Sequence, residues 1–483
     1  MAILLILFTI TYTILSLVRW DWAVMLMLAA LPSYLIRFNI FGLPSTLLEV
    51  MILISFAVWL TRNYRPIIKN LKFKIHSLKH SPTTNWRPYP LAIEIILWLI
   101  ISWIALAVSG FSNHALGIWK AYFFEPVLVF IMVINLVARN QNKKQAIEKI
   151  LWPLGISAFY LSLIAIWQKT TGLCVVEKFW PRVTSVFPYP NALGLYLAPL
   201  VLVMFGWLFY ELKNKNKFLL LFISLSILLS CLAIVFARSE GALVGIIAGL
   251  TIFGMLADKK IRWLTIITII IAGITILAYA PTREYALKKI TLRDLSGEIR
   301  KQQWRETWQM LKASPANFIF GAGLANYQAA ITPYHQEGIF YNFDNDPDFR
   351  RKIVLFDERY KSKYWQPVEI YLYPHNIILN FWTELGLAGA LLFIWVIAKS
   401  GKILISNIQK QNNNWILDIR YLILGLLSGI IVIIVHGIVD VPYFKNDLAV
   451  QFWVLLALIG IMNLVAINEN KVSSSAQGTV RKN

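Results

Sequence analysis

Apolar residues fall into long blocks separated by short polar stretches, near residues 2–18, 21–36, 45–61, 91–109, 116–138, 149–168, 188–209, 218–236, 240–257, 263–280, 374–398, 416–438 and 447–467. Most of these blocks run roughly 17 to 24 residues with few charges, the length of helix that crosses ~30 Å of hydrocarbon. The second block is short, so the first two either merge or re-enter, which sets the expected count at 12 or 13. The pattern predicts an all-α polytopic membrane protein. The stretch Ile3 to Val18 lacks a basic leader and runs straight into further apolar blocks, so it reads as a membrane segment and not as a cleavable signal peptide.

Composition agrees. Of 483 residues, 58% are hydrophobic and only 15% charged, where a soluble domain carries about a quarter charged. The two cysteines, Cys174 and Cys231, build no disulfide framework, since Cys231 lies inside an apolar block.

A formal charge of +21 would suit a nucleic-acid binder, but the placement of the charges excludes one. The loop after the third block holds Arg62, Arg65, Lys69, Lys72, Lys74, Lys79 and Arg87 and no carboxylate. Every second loop after it is also basic: Arg139, Lys143, Lys144 and Lys149; Lys213, Lys215 and Lys217; Lys259, Lys260 and Arg262; Lys399, Lys402 and Lys410. Lys471, Arg481 and Lys482 follow in the tail. The alternation is the positive-inside pattern and assigns these loops to the cytoplasmic face.

That register puts Pro281 to Pro374 outside. The segment holds 11 of the chain's 25 carboxylates and 14 basic residues. Long loops translocate largely regardless of charge. Its opening stretch, Arg283 to Lys312, ends with Trp304, Trp308 and Leu311 on one helical face. The chain therefore divides into a bundle over 1–280, a large extracytoplasmic loop over 281–373, further spans over 374–468 and a basic polar cytoplasmic tail over 469–483.

Four polar sites stand at the outer ends of spans, where ionisable groups are costly and mark function. The first is Ala237-Arg238-Ser239-Glu240-Gly241, a tight turn whose arginine either pairs with Glu240 or binds an anion. The second runs from Arg300 and Arg305 to Gly321-Ala322-Gly323, a turn that either lets backbone approach an anion or merely bends the loop. The third is Tyr373-Pro374-His375-Asn376, with Pro374 suited to a first helical turn and His375 at a helix N-terminus. The fourth, His436-Gly437-Ile438-Val439-Asp440, puts a carboxylate beside a long apolar run. Arginine forks match phosphate oxygens, and His or Asp removes a proton from a hydroxyl. No metal-ligand spacing accompanies them; Asp344-Asn345-Asp346-Pro347-Asp348 lacks the glycine and terminal glutamate of a calcium loop.

These stretches resemble the bacterial O-antigen ligase/O-antigen polymerase superfamily. The resemblance is densest from Arg182 to Asp440 and rests on Arg182-Val183-Thr184-Ser185-Val186-Phe187 with Pro190-Asn191-Ala192-Leu193-Gly194, Arg238-Ser239-Glu240-Gly241-Ala242-Leu243, Trp304 through Pro315 to Asn326-Tyr327, and Pro374-His375-Asn376 with Glu384-Leu385-Gly386-Leu387-Ala388-Gly389. It implies a GT-C-like glycosyltransferase of the bacterial cytoplasmic (inner) membrane, facing the periplasm and taking part in cell-envelope polysaccharide or lipopolysaccharide synthesis. Such an enzyme moves a glycan from undecaprenyl diphosphate to a glycan, lipid or protein acceptor hydroxyl, without metal or other cofactor. By motif, Arg238 and Arg300, with Arg305 as the neighbouring candidate, resemble the diphosphate-holding arginines; His375 resembles the essential histidine and Asp440 the late-loop acid. The family often has Ser-Arg-Gly where this chain has Ala237-Arg238-Ser239-Glu240-Gly241. A polymerase using the same donor and a transporter of lipid-linked sugars are the alternative readings. The sequence holds no convincing internal repeat of the kind transporters carry.

Overall fold

The computed structural model describes residues 2–40, 43–77, 89–212, 216–355, 358–409 and 417–480. Of the basic residues assigned to the cytoplasmic face, Lys79, Arg87, Lys213, Lys215, Lys410, Arg481 and Lys482 lie outside them.

Each apolar block becomes a helix, with one partial exception. The first part of the chain forms α1 (Ala2–Val18), α2 (Trp20–Ala29), α3 (Leu47–Ser77), α4 (Ala92–Val108) and α5 (Asn113–Trp119), which continues through a π turn into α6 (Glu125–Ala138). Then come α7 (Lys143–Thr171), α8 (Pro190–Glu211), α9 (Lys217–Ala237), α10 (Glu240–Leu256) and α11 (Lys259–Ala278). The long polar segment carries α12 (Ala280–Ile290), α13 (Leu295–Lys312), α14 (Pro315–Phe320), α15 (Tyr327–Ile331), α16 (Phe349–Val354) and α17 (Glu358–Tyr364). The chain closes with α18 (Ile377–Gln409), α19 (Leu417–Gly437) and α20 (Asn446–Val480). Among the described residues, eight helices are long and apolar enough to cross a membrane and four more are apolar but shorter. The protein is an all-α polytopic membrane protein. The exception is the second block. A helix of 10 residues spans only ~15 Å; Pro32 then opens a 3-10 turn, and Arg37–Ile40 pairs antiparallel with Leu43–Thr46. Blocks one and two neither merge nor span as a pair, because the chain breaks at Arg19.

Small residues decide which helices touch. Helix α8 packs against α9, α10 and α19. At the α8–α19 crossing a Cβ on Gly206 would lie 2.6 Å from the Tyr421 carbonyl, and one on Gly425 would lie 2.8 Å from Gly206 Cα. The two backbones therefore meet directly, as small-xxx-small helix pairs do in bilayers. Helices α10 and α19 repeat the device every fourth residue: Gly249 faces Ser428, Gly245 faces Val432 and Gly241 faces His436. This antiparallel ladder brings the start of α10 against the end of α19. Helix α11 behaves oppositely: it buries none of its side chains and packs against α10 and α12.

The polar segment is anchored at both ends. The last part of Arg283–Lys312 forms α13 as expected, and a turn at 291–294, where Leu292 takes a positive φ of 52°, separates it from α12. In α13 the expected face forms: Leu311 is fully buried, Trp308 packs edge-on to Trp382, and Trp304 Nε1 donates to the Pro374 carbonyl at 2.9 Å. Further on, α14 plugs into a break in α18. Gly386 there takes φ 75° and ψ −179°, freeing the Thr383 carbonyl to accept from Ala322 N at 2.7 Å. Trp382 Nε1 donates to the Phe318 carbonyl at 2.7 Å, and Glu384 accepts from Ala325 N at 2.9 Å. The Gly321-Ala322-Gly323 turn is thus a docking surface for α18: a Cβ at Gly321 would sit 2.4 Å from the Thr383 carbonyl. Its backbone faces protein, which corrects the anion-approach reading of that turn.

Candidate active site

Two tight junctions, far apart in sequence, are drawn together at one end of the bundle. At the first, α9 ends on Ala237 and Arg238 takes the left-handed conformation, φ 49° and ψ 43°, so that α10 starts within two residues. A non-glycine residue there is strained by ~1–3 kcal/mol, a cost found mainly at functional sites. Arg182 steadies the turn, its Nε donating to the Ala237 carbonyl at 2.9 Å and its Nη2 to Asn191 Oδ1 at 2.9 Å. Asn191 Nδ2 in turn donates to Asp440 Oδ2 at 3.4 Å.

The second junction is His375, also left-handed at φ 48°. Pro374 does not begin the helix. Asn376 caps α18 instead, its Oδ1 accepting from Ile378 N at 3.1 Å and Leu379 N at 3.0 Å. Its Nδ2 donates to the Ile438 carbonyl at 3.1 Å, tying the cap to the turn that carries Asp440. The His375 ring stands between Tyr371 and Tyr373, edge-to-face with centroids at 5.1 and 4.9 Å. Its Nδ1 lies 3.8 Å from Asp440 Oδ1, an ion-pair distance just beyond a direct hydrogen bond.

Charge is distributed unequally over this cluster. Asp440 is 2% exposed. Burial pushes its carboxyl up, but the adjacent His375 and His436 rings and the Val441 amide outweigh burial and hold it down to about 2. Arg182, half-buried, is lowered by burial and by the neighbouring Arg238. Arg238 itself is exposed, and no carboxylate among the described residues lies within ion-pair distance of it. Glu240 turns away to Lys289 Nζ at 2.6 Å and Tyr285 at 3.0 Å, so the Arg238–Glu240 pair does not form. Arg300 also lacks a carboxylate: its Nη1 donates to Ser296 Oγ at 2.9 Å, and its Nε is sealed without a partner. Its charge reaches Tyr371 and His436, and Trp304, one turn along α13, holds the Pro374 carbonyl. Arg305 lies roughly 140° around α13 from Arg300 and is exposed; it is not brought into the cluster.

Two arginines with no carboxylate partner among the described residues, an imidazole and a buried carboxylate thus line one end of a helix bundle. Residues 225–394 match the family model described as O-antigen ligase. This match, over about a third of the chain, supports the O-antigen ligase/polymerase superfamily. No curated protein matches the chain. The O-antigen ligase match takes in Arg238, Arg300 and His375 and stops before Asp440. The family is one of glycosyltransferase-like enzymes, and the match supports an O-antigen ligase/polymerase-type membrane glycosyltransferase.

Two residues of this cluster escaped the residue-by-residue reading. Arg182 and Asn191 lie within stretches that resemble the superfamily, yet only the fold shows that they join the Arg238 turn to Asp440. An arginine so near a span end was the available signal. Among the described residues no group of three or more His, Cys, Asp or Glu is placed to hold a metal ion. Asp344 and Asp346 are instead taken up by Lys363 and Lys352 at 2.7 and 2.6 Å.

Proposed function

We propose that this chain transfers a glycan from an undecaprenyl-diphosphate donor to an acceptor hydroxyl on the outer face of the bacterial cytoplasmic membrane. The observation that carries this reading is that residues separated by 62, 75 and 65 positions are linked at one end of the bundle: His375 stands 3.8 Å from Asp440, the Arg238 turn joins Asp440 through Arg182 and Asn191, and the helix that carries Arg300 is tied to Pro374 by Trp304. The positive-inside pattern, which sets the lysine-rich turns on the cytoplasmic side, supports an outward-facing site.

In this mechanism the polyprenyl chain stays in the bilayer, entering beside α10 and the unburied apolar surface of α11. Arg238 and Arg300 meet the diphosphate. Its charge grows as the glycosidic C–O bond breaks, and preorganised cations without competing carboxylates stabilise that growth. His375 accepts the proton of the acceptor hydroxyl as the new C–O bond forms, with inversion at the sugar carbon. Asp440, held low by its surroundings, is a poor base near neutrality and serves to orient the imidazole and balance its charge once protonated. Tyr371 and Tyr373 fix the ring from both sides.

The test is to incubate the purified chain in lipid nanodiscs with a defined undecaprenyl-diphosphate glycan and candidate glycan, lipid and peptide acceptors, then weigh the products. One glycan per acceptor marks a ligase and a ladder of repeats marks a polymerase. Unchanged donor with every acceptor would overturn the proposal.

A further inference from the structure

The glycine ladder leaves one imidazole unexplained. His436 lies in the last turn of α19 and is 2% exposed, yet no hydrogen bond among the described residues holds its side chain. Its Nδ1 is sealed without a partner. Its other edge lies against Gly241, where an added Cβ would come within 2.5 Å of Cδ2 and 2.8 Å of Nε2. Gly241 is three residues from Arg238, so Nε2 faces the turn that presents that arginine. The charges that reach the ring are those of Arg300 and Asp440. Asp440 follows one helical turn later in sequence, but its carboxylate contacts run to Asn191, the Val441 amide and His375. A purely space-filling residue here would be apolar, since a buried polar ring without a partner is costly. The ring stands against the first turn of α10, three residues from Arg238.

We propose that His436 is a second catalytic imidazole of this site, its Nε2–H donating to the donor's diphosphate between Arg238 and Arg300. The inference rests on the glycan-transfer reading. It divides the labour between two histidines: His375 serves the acceptor hydroxyl, and His436 the departing diphosphate. In the neutral ring one nitrogen donates and the other accepts; with Nδ1 sealed, the proton belongs on Nε2, where an anion is the natural partner. Gly241 follows from the same requirement, since any side chain there would push the ring out of reach.

The experiment compares His436→Leu, His436→Asn, His436→Gln and Gly241→Ala with wild type in two measurements on the full chain. One is thermal stabilisation by inorganic pyrophosphate; the other is transfer from a synthetic undecaprenyl-diphosphate glycan. Glutamine places an amide N–H near the position of Nε2, whereas asparagine places one near Nδ1. Expected are near-wild-type behaviour for His436→Gln, and a loss of about a hundredfold in transfer for His436→Leu, His436→Asn and Gly241→Ala. The last three should also need about tenfold more pyrophosphate for half-stabilisation, a decade of affinity for one lost donor. Where His436→Leu fails to insert, the Gln and Gly241→Ala variants decide. Equal damage from Gln and Asn, with unchanged pyrophosphate response, would reduce His436 to a packing residue and leave glycan transfer standing. A wild-type chain that neither responds to pyrophosphate nor transfers would remove the parent reading itself.

Discussion

Two charged regions of this molecule follow opposite rules. In the polar segment, Asp346 accepts from Lys352 at 2.6 Å, Tyr360 at 2.5 Å and the Asp348 amide at 2.9 Å, while Asp344 accepts from Lys363 at 2.7 Å and Tyr364 at 2.5 Å. Both carboxylates are met by a lysine and a tyrosine, and that knot is structural. At the bundle end, no carboxylate among the described residues pairs with Arg238 or Arg300, and Glu240, two residues from Arg238, is bound elsewhere. Cations left without counter-ions beside a membrane are electrostatically costly, so their persistence points to an anion that comes and goes. The contrast separates charges that hold the fold from charges that await a ligand.

The contrast is broken most severely by removing the waiting charges. Arg238→Ala and His375→Ala should each lower glycan transfer by about a hundredfold or more while inserting normally; transfer rates per inserted molecule check this, and unchanged rates would merge the two regions into one structural class. Next in size is Gly206→Ala, which drives a Cβ against the Tyr421 carbonyl and Gly425. Overpacking of this kind costs about 1–3 kcal/mol, so the midpoint of thermal unfolding should fall and transfer should fall with it. A smaller effect belongs to the knot. Hydrogen bonds from Lys352, Tyr360 and the Asp348 amide hold the Asp346 carboxyl down to about 2. Its contribution is therefore complete above its ordinary value of 3.8 and lost as pH falls through about 2. Lys352→Met should weaken that acid sensitivity, since Tyr360 and the Asp348 amide remain, read as limited proteolysis of the 338–367 region across pH 2–5, with transfer at neutral pH unchanged. Smallest is Arg305→Ala, an exposed side chain outside the cluster, expected to change transfer by no more than about twofold.

Much of the fold was legible because hydrocarbon imposes a length and a polarity that the chain displays directly. The block at 218–236 became Lys217–Ala237 and that at 240–257 became Glu240–Leu256. Block 21–36 misled because apolar content persists past Ala29 while Pro32 ends the helical hydrogen bonding. At the site, Arg238, His375 and Asp440 were readable as costly polar groups at span ends. Their partners were not, because those depend on contacts between distant residues. Glu240 follows its arginine by two positions, yet α12 offers it Lys289 and Tyr285 from the other side. Arg300 and Arg305 look equivalent in sequence and are separated only by the face of α13 that packs on Pro374. Gly321 and Gly386 each suggest a turn, and neither alone discloses that the two breaks fit each other.

That fit has a mechanical consequence. Helix α18 begins two residues after His375, and the seat for α14 opens about two turns further along the same helix. A pull on the polar segment, such as a bulky glycan leaning on it, loads α18 at that notch, and the short rod of helix above the notch passes the load to the imidazole. The polar segment and His375 share one lever, so a load on the one is passed to the other.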